Sequence, residues 1–182
     1  DIYSVNTYGG IGDVRKNIRN YGWTGPYLIT EWGPNGHWEV AKTPWGTPIE
    51  QTSSEKAIVY KERYENEILG DAKYCMGSFV FLWGHKQETT STWYGLFDQT
   101  GRTSQCVEVL HDQWSPSTRK GYTPVVDAIT LNKMTANQGV TVWADEDVMA
   151  EFNWRDFDND VQKVVWNVVP ESNDIKAGGD AE

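Results

Sequence analysis

The sequence predicts an α/β region followed by a smaller β-rich region. In residues 2–115, short apolar runs bounded by Gly and Pro alternate three times with helical patterns. Apolar runs of this kind are typical of strands buried on both faces, which occur mainly in parallel sheets covered by helices. After a polar linker at residues 115–121, closely spaced short runs predict an antiparallel β-sandwich module. We therefore expect two domains, residues 1–118 and 119–182.

The first strand–helix unit begins with an apolar strand pattern at residues 2–8, which ends at a glycine pair. A helix is expected from about Asp13, an acceptable N-cap, to a stop at Gly22. Three residues at the i, i+4, i+7 spacing form its apolar face: Val14, Ile18 and Tyr21.

The second unit begins with residues 26–33, which read Pro-Tyr-Leu-Ile-Thr-Glu-Trp-Gly and end on one carboxylate, Glu31. A long loop at residues 33–52 follows, and long ordered loops in compact domains are usually functional. A helix restarts at Thr52, where Thr52 and Glu55 have the form of a capping box, and stops at Gly70.

The third unit begins with residues 76–84, Met-Gly-Ser-Phe-Val-Phe-Leu-Trp-Gly, and continues through a loop to a helix that starts at about Thr103. Pro116 ends this helix. In the second region four runs are predicted as strands, at residues 125–131, 140–144, 148–153 and 163–169.

Composition excludes several function classes. The chain has 26 acidic and 16 basic residues, a net charge of −10, and no basic cluster, which argues against nucleic acid as a partner. No apolar stretch approaches the roughly 20 residues of a membrane span. The chain starts inside an apolar strand pattern, so we expect it to be a piece of a larger protein.

Cysteines and acidic residues suggest no cofactor or metal. Cys75 precedes a strand and so lies at the bottom of the predicted barrel, whereas Cys106 lies in the following helix, nearer the top. A disulfide needs Cα atoms within about 7 Å, so we favour two buried thiols. The histidines and cysteines have no zinc spacing. Three aspartates could bind calcium, but their spacing excludes an EF-hand and an acidic turn is favoured: Asp156, Asp158 and Asp160.

Ten tryptophans are an unusual number for 182 residues, and several stand beside loop-forming residues. The simpler interpretation is that these aromatic side chains are buried in the hydrophobic core. Flat apolar rings on loops also suit the faces of sugar rings, and loops at one end of a scaffold commonly carry function. The tryptophans in apparent loops are Trp32, Trp38, Trp45, Trp83 and Trp93.

The run Thr30-Glu31-Trp32-Gly33, together with the strand order, resembles the last three βα units of the eight-stranded TIM barrels of retaining glycoside hydrolases. The resemblance covers about residues 1–115. It implies that Glu31 is the nucleophile and that Tyr8, or else Asn6, hydrogen-bonds it. It also implies that Trp83 forms the floor of the subsite for the reacting sugar.

The same resemblance implies a β-linked poly- or oligosaccharide as the partner. Further candidate substrate-binding residues are Trp32, His85, Trp93 and Trp38, with Glu88 at outer subsites. His37 and His85 stand on glycine-flanked loops, where a histidine is more often a surface residue than a catalytic one. Glu39 and Glu50 are expected to be solvated.

No residue matches the acid/base, which this family takes from its fourth strand, so we expect the chain alone to be inactive. The alternative is a non-catalytic carbohydrate-binding protein that uses the loop tryptophans. Residues 122–182 resemble an immunoglobulin-like or polycystic-kidney-type module, which implies a secreted, periplasmic or cell-surface protein. Three βα units would leave sheet edges uncovered, so we also expect self-association or docking of the β module there.

Overall fold

The computed structural model describes residues 1–160 and 163–172; the end of the predicted second domain lies outside the described residues. Its central sheet has three parallel strands, β1 (Tyr3–Asn6), β2 (Tyr27–Trp32) and β3 (Cys75–Val80), in the spatial order β1-β2-β3. Spatial order and chain order agree, as expected for consecutive strand–helix–strand crossovers. The carboxyl ends of the strands therefore lie at one edge of the sheet.

Three helices follow the three strands: α1 (Val14–Asn20), α2 (Ser53–Arg63) and α3 (Gln105–Trp114). A 3-10 turn at Gly9–Asp13 leads into α1, and α2 continues through a π turn at Tyr64–Ile68 and a 3-10 turn at Leu69–Asp71. The predicted capping box is confirmed. The Glu55 N–H donates to Thr52 Oγ1 at 3.2 Å, and the Thr52 N–H donates to Glu55 Oε2 at 2.7 Å.

The core lies between one face of the sheet and the helices. On β2, Tyr27, Ile29 and Trp32 are at most 1% exposed. Each helix contributes buried side chains to this core, among them Ile18, Tyr60 and Leu110.

The opposite face of the sheet is open to solvent. Side chains alternate along a strand, so Met76, next to the buried Cys75, points away from the helices. Between the pairs Tyr27–Cys75 and Ile29–Ser78, β3 has one extra residue, which brings Phe79 to the same face as Met76. Met76 is 64% and Phe79 60% exposed. Parallel sheets normally have both faces covered, so this face is an uncovered apolar surface.

The second region forms two short antiparallel ladders. Strand β4 (Val125–Val126) pairs with β7 (Trp154–Arg155), and β5 (Thr130–Leu131) pairs with β6 (Ala150–Glu151). The strands expected at residues 140–144 and 163–169 are absent, so those two predictions are wrong. Several of their apolar side chains are exposed, with Trp143 at 81% and Val168 fully exposed, although the Trp166 ring packs edge-on against Phe152. A β-sandwich and an eight-stranded barrel stay predictions.

The β region docks on the helices and on the loop after β2. The Val126 N–H donates to Ser54 Oγ on α2 at 2.8 Å. The Glu171 carboxylate accepts bonds from Trp45 Nε1 at 3.1 Å and from Thr47 Oγ1 at 2.6 Å. These two bonds lower the pKa of Glu171. The ladders are thus held against α2 and the loop and not against the open sheet face.

Two other expectations are confirmed. Cys75 and Cys106 are both buried free thiols, and burial raises the pKa of Cys106 to about 11. None of the helices in residues 1–160 and 163–172 is long and apolar enough to cross a membrane.

The helix–sheet core gives a stability prediction. Leu110 on α3 is 0% exposed, whereas Ile58 on α2 is 57% exposed. Leu110→Ala should lower the free energy of unfolding by about 2–5 kcal/mol, because a cavity remains. Ile58→Ala should change it by less than about 0.5 kcal/mol. Urea denaturation followed by circular dichroism measures both, and equal losses would contradict this core.

The open sheet face gives an association prediction. Light scattering over a range of concentrations should show species larger than a monomer, because the apolar face is unprotected. Phe79→Glu should shift the population toward monomer, whereas Trp143→Glu, far along the chain in the β region, should not. A wild-type chain that remains monomeric at every concentration would count against this prediction.

Candidate functional site

Glu31 lies at the carboxyl end of β2, and a register shift places it beside β1. Val5 pairs with Ile29, but the next residue of β1, Asn6, pairs with Glu31 and skips Thr30. Such a bulge re-aims side chains at the end of a strand. Here it brings the Glu31 carboxylate next to the Asn6 amide.

Both oxygens of the Glu31 carboxylate accept hydrogen bonds. The Tyr8 hydroxyl donates to Oε1 at 2.7 Å, and Asn6 Nδ2 donates to Oε2 at 3.3 Å. The Thr30 hydroxyl donates to Asn6 Oδ1 at 2.8 Å, which turns the amide nitrogen toward Glu31. Glu31 is half-buried, so its orientation is set from two sides while part of it stays reachable.

Tyr8 follows β1 in the turn before α1, not within the strand as predicted. Its ring meets three others edge-on, at centroid distances of 5.5 Å for Tyr94, 5.6 Å for Trp38 and 6.4 Å for Phe81. Burial first, and then the bond to Glu31, raise the pKa of Tyr8 far above its ordinary value. The phenol is therefore a neutral hydrogen-bond donor at physiological pH.

Gly33 makes this packing possible. A Cβ at this position would lie 2.8 Å from the Phe81 carbonyl oxygen and 3.3 Å from Tyr8 Cε1. The absence of a side chain lets the chain leave β2 between these two aromatic residues. Arg63 on α2 holds the same turn through its donor bonds to Gly33 O, at 2.6 Å, and to Asn35 Oδ1.

The side chain of Glu39 is exposed, as expected, but its carboxylate is also held by backbone groups. Its Oε2 accepts bonds from two backbone N–H groups, that of Gly9 at 2.8 Å and that of Gly36 at 2.7 Å. The sequence has no signal for this contact, because the bond joins positions 30 residues apart.

His37 also differs from the expected surface position. It is 7% exposed, and its Nε2 lies 3.6 Å from Glu88 Oε1. Lys86 Nζ lies 2.8 Å from Glu88 Oε2. The loops after β2 and β3 thus share a buried charged cluster beside the aromatic residues around Tyr8.

Glu50 is the second acid expected to be solvated, but unlike Glu39 it is partly buried. It forms an ion pair with Lys56 and accepts bonds from Thr90 at 2.5 Å and Thr92 at 2.8 Å. These contacts tie the loop after β2 to the loop after β3 a second time.

Two of the candidate sugar-binding tryptophans are core residues in the structure. Trp32 is 0% exposed and packs against Tyr60 and Tyr64. Trp93 is 1% exposed, and its Nε1 donates to Asn35 O at 2.9 Å. Trp32 has no face free for a ligand, so its expected role in substrate binding is corrected to packing. Trp93 lines a cavity together with Lys56 and Tyr94, so its role in substrate binding stays a prediction.

Trp38 is an exposed aromatic side chain that contacts Tyr8, the residue that donates to Glu31. Its ring is 52% exposed and meets Tyr8 at 84° and His37 at 82°. Trp83 is 59% exposed, but its ring contacts are with Phe97 at 5.1 Å and Trp114 at 6.3 Å. The structure brings Trp38, and not Trp83, into contact with the Tyr8 ring.

The remaining candidates have less defined surroundings. His85 is partly buried, and its Nε2 has no hydrogen-bond partner among the described residues. In the β region the carboxylates of Asp156, Asp158 and Asp160 each have an oxygen within 4.8 Å of the others. One of them is already engaged, because Asp158 Oδ2 accepts the Tyr122 N–H at 2.7 Å.

Comparisons with known proteins add no assignment. A scan of the chain against protein-family models matches none of them, and a search of curated proteins finds no significant match. The resemblance to retaining glycoside hydrolases therefore rests on the residues described above.

The buried phenols give a pH prediction. Burial raises the pKa of four of the nine tyrosines, Tyr8, Tyr27, Tyr60 and Tyr94. These four contribute stability below about pH 10 that is lost as pH rises through their folded pKa values. At pH 11 the folded chain should show at most five ninths of the tyrosinate absorbance of the chain in denaturant. Titration of all nine in a chain still folded by circular dichroism would contradict this burial.

Proposed function

We propose that Glu31 is the nucleophile of a retaining glycoside hydrolase that acts on a β-glucan or a related β-linked oligosaccharide. The observation that carries the proposal is the carboxylate at the end of a parallel strand, held by Tyr8 at 2.7 Å and Asn6 at 3.3 Å. Both donors fix the direction of the carboxylate, as attack by a nucleophile requires.

In this mechanism a Glu31 oxygen attacks the anomeric carbon while the glycosidic C–O bond breaks. The departing oxygen takes a proton from a second carboxylic acid, which leaves a covalent glycosyl-enzyme ester. Water then attacks the anomeric carbon, gives its proton to the same second carboxylate, and releases Glu31. Tyr8 and Asn6 act here by orienting Glu31.

The second carboxylate is proposed to come from outside this chain. Retaining enzymes hold their two carboxyl groups about 5–5.5 Å apart, and the resemblance assigns the acid/base to a strand that residues 1–115 do not match. The open sheet face bearing Met76 and Phe79 is a surface on which further βα units could pack. On this proposal the chain alone binds sugar and does not turn it over.

Glu31→Gln tests the proposal in a protein extended upstream to include such units. Turnover of an aryl β-glucoside should fall by at least about 10³-fold, because an amide is not a nucleophile. Oligosaccharide affinity should stay within about threefold, because the amide keeps the size of the side chain. Glu62→Gln on the exposed side of α2 is the control and should retain full activity. Retained hydrolysis by Glu31→Gln would refute the assignment.

A second candidate function is a non-catalytic carbohydrate-binding protein, favoured by the half-exposed ring of Trp38 beside the candidate site. Trp38→Ala should weaken binding of cellotetraose or laminaritetraose by about tenfold or more, because the sugar loses its stacking surface. Trp143→Ala, also an exposed indole, should not change binding. Tryptophan fluorescence titration measures both variants, and equal affinities for wild type and Trp38→Ala would contradict this role.

The cellular setting is part of the same proposal. A β-glucan substrate and an immunoglobulin-like module at residues 119–182 are both typical of secreted, periplasmic or cell-surface enzymes. The docking of the β region on the loop after β2, through Glu171, is consistent with a module that supports this loop.

A further inference from the structure

We propose that Glu39 is a positioning residue that sets the orientation of Tyr8, and through it of Glu31, by clamping two loops together. Its effect on the reaction rests on the function proposed above, whereas the clamp itself does not. The Glu39 carboxylate contacts the backbone of Gly9 and Gly36, and Trp38 packs against the same loop.

One carboxylate oxygen of Glu39 bridges the turn after β1 and the loop after β2. It accepts the Gly9 N–H at 2.8 Å and the Gly36 N–H at 2.7 Å. Charge-assisted bonds of this kind are stronger than bonds between neutral groups. The positively charged Arg63, which holds the start of the same loop, lies within electrostatic range of the Glu39 carboxylate.

The clamped Gly9 is linked to the candidate nucleophile through Tyr8, by one peptide bond and one hydrogen bond. Gly9 follows Tyr8 directly, and the Tyr8 hydroxyl donates to Glu31 at 2.7 Å. A displacement of the Gly9 backbone therefore moves the Tyr8 phenol relative to Glu31. Small displacements of this size are costly in a site that depends on geometry.

Two glycines fit the clamp closely. A Cβ at Gly9 would lie 2.9 Å from the Glu39 carboxyl group, so the carboxylate sits directly on the backbone. A Cβ at Gly36 would lie 2.5 Å from the Trp38 indole, which is therefore packed flat against the loop. The clamp thus fixes Trp38 and Tyr8 together, as rings 5.6 Å apart at 84°.

The experiment follows the Tyr8 phenol by tyrosinate absorbance, with each protein compared with its own Tyr8→Phe partner. The titratable groups that face this phenol are Glu31, Glu88 and Tyr94. In the wild type Tyr8 should contribute no signal below about pH 11. In Glu39→Ala the turn should loosen and water should reach the phenol, so one additional tyrosine should titrate below about pH 11. This additional signal should be absent when Tyr8→Phe is combined with Glu39→Ala.

Three further variants separate the clamp from general destabilisation. Glu39→Gln keeps an oxygen that can accept both N–H groups and should retain the wild-type titration. Gly9→Ala displaces the carboxylate without removing its charge and should reproduce Glu39→Ala. Glu62→Ala removes an exposed carboxylate from α2 and should have no effect. An unchanged Tyr8 in folded Glu39→Ala and Gly9→Ala would overturn the proposal.

Sugar binding separates this proposal from the proposed function. Cellotetraose and laminaritetraose serve as probes, and Glu39→Ala should weaken binding about tenfold relative to Glu39→Gln. If Tyr8 shifts but the wild type binds neither sugar, the clamp stands and the glycosidase proposal fails. If Tyr8 does not shift while the wild type binds sugar, the positioning role fails and the glycosidase proposal stands.

Discussion

The hydrogen bond between the Tyr8 phenol and the Glu31 carboxylate is the interaction on which the candidate site depends. It needs the register shift that sets Asn6 opposite Glu31, and it needs Gly33, where a side chain would meet Phe81 and Tyr8. Burial keeps the phenol protonated, so the bond persists over a wide pH range. A carboxylate held in this way is oriented and still half accessible, which suits nucleophilic attack on a sugar.

Around that bond the loops after β2 and β3 are joined by buried polar groups. The cluster of His37, Lys86 and Glu88 links the two loops. A second link is made by Glu50, which accepts bonds from Thr90 and Thr92 of the loop after β3. Such networks are costly when incomplete and rigid when complete, so they favour a single loop arrangement. The apolar face on the other side of the sheet has no such support, and it is where the structure has room for further βα units.

The sequence predicted what depends on local patterns and missed what depends on contacts between distant residues. The three strand–helix pairs follow from apolar runs, breakers and a capping box at Thr52 and Glu55. Trp32 and Trp93 are predicted to lie near the substrate, but both are buried in the structure. A tryptophan beside a loop can equally belong to the core, and only tertiary packing distinguishes the two cases. Glu39 had no signal at all, since its partners are backbone groups. The strands expected at 140–144 and 163–169 do not form, since β propensity depends on packing context, and Trp143 and Val168 stay exposed.

The role of Glu31 can be tested by trapping. A 2-deoxy-2-fluoro β-glucoside with a dinitrophenyl leaving group needs no acid to depart, so it reports on the nucleophile alone. The measurement is mass spectrometry of peptides after incubation with the protein extended upstream, beside the Glu31→Gln variant. One fluoroglycosyl ester is expected, on the peptide that contains Glu31, and none in the variant. An ester on another carboxylate, or turnover of β-glucosides with Glu31 unmodified, would contradict it.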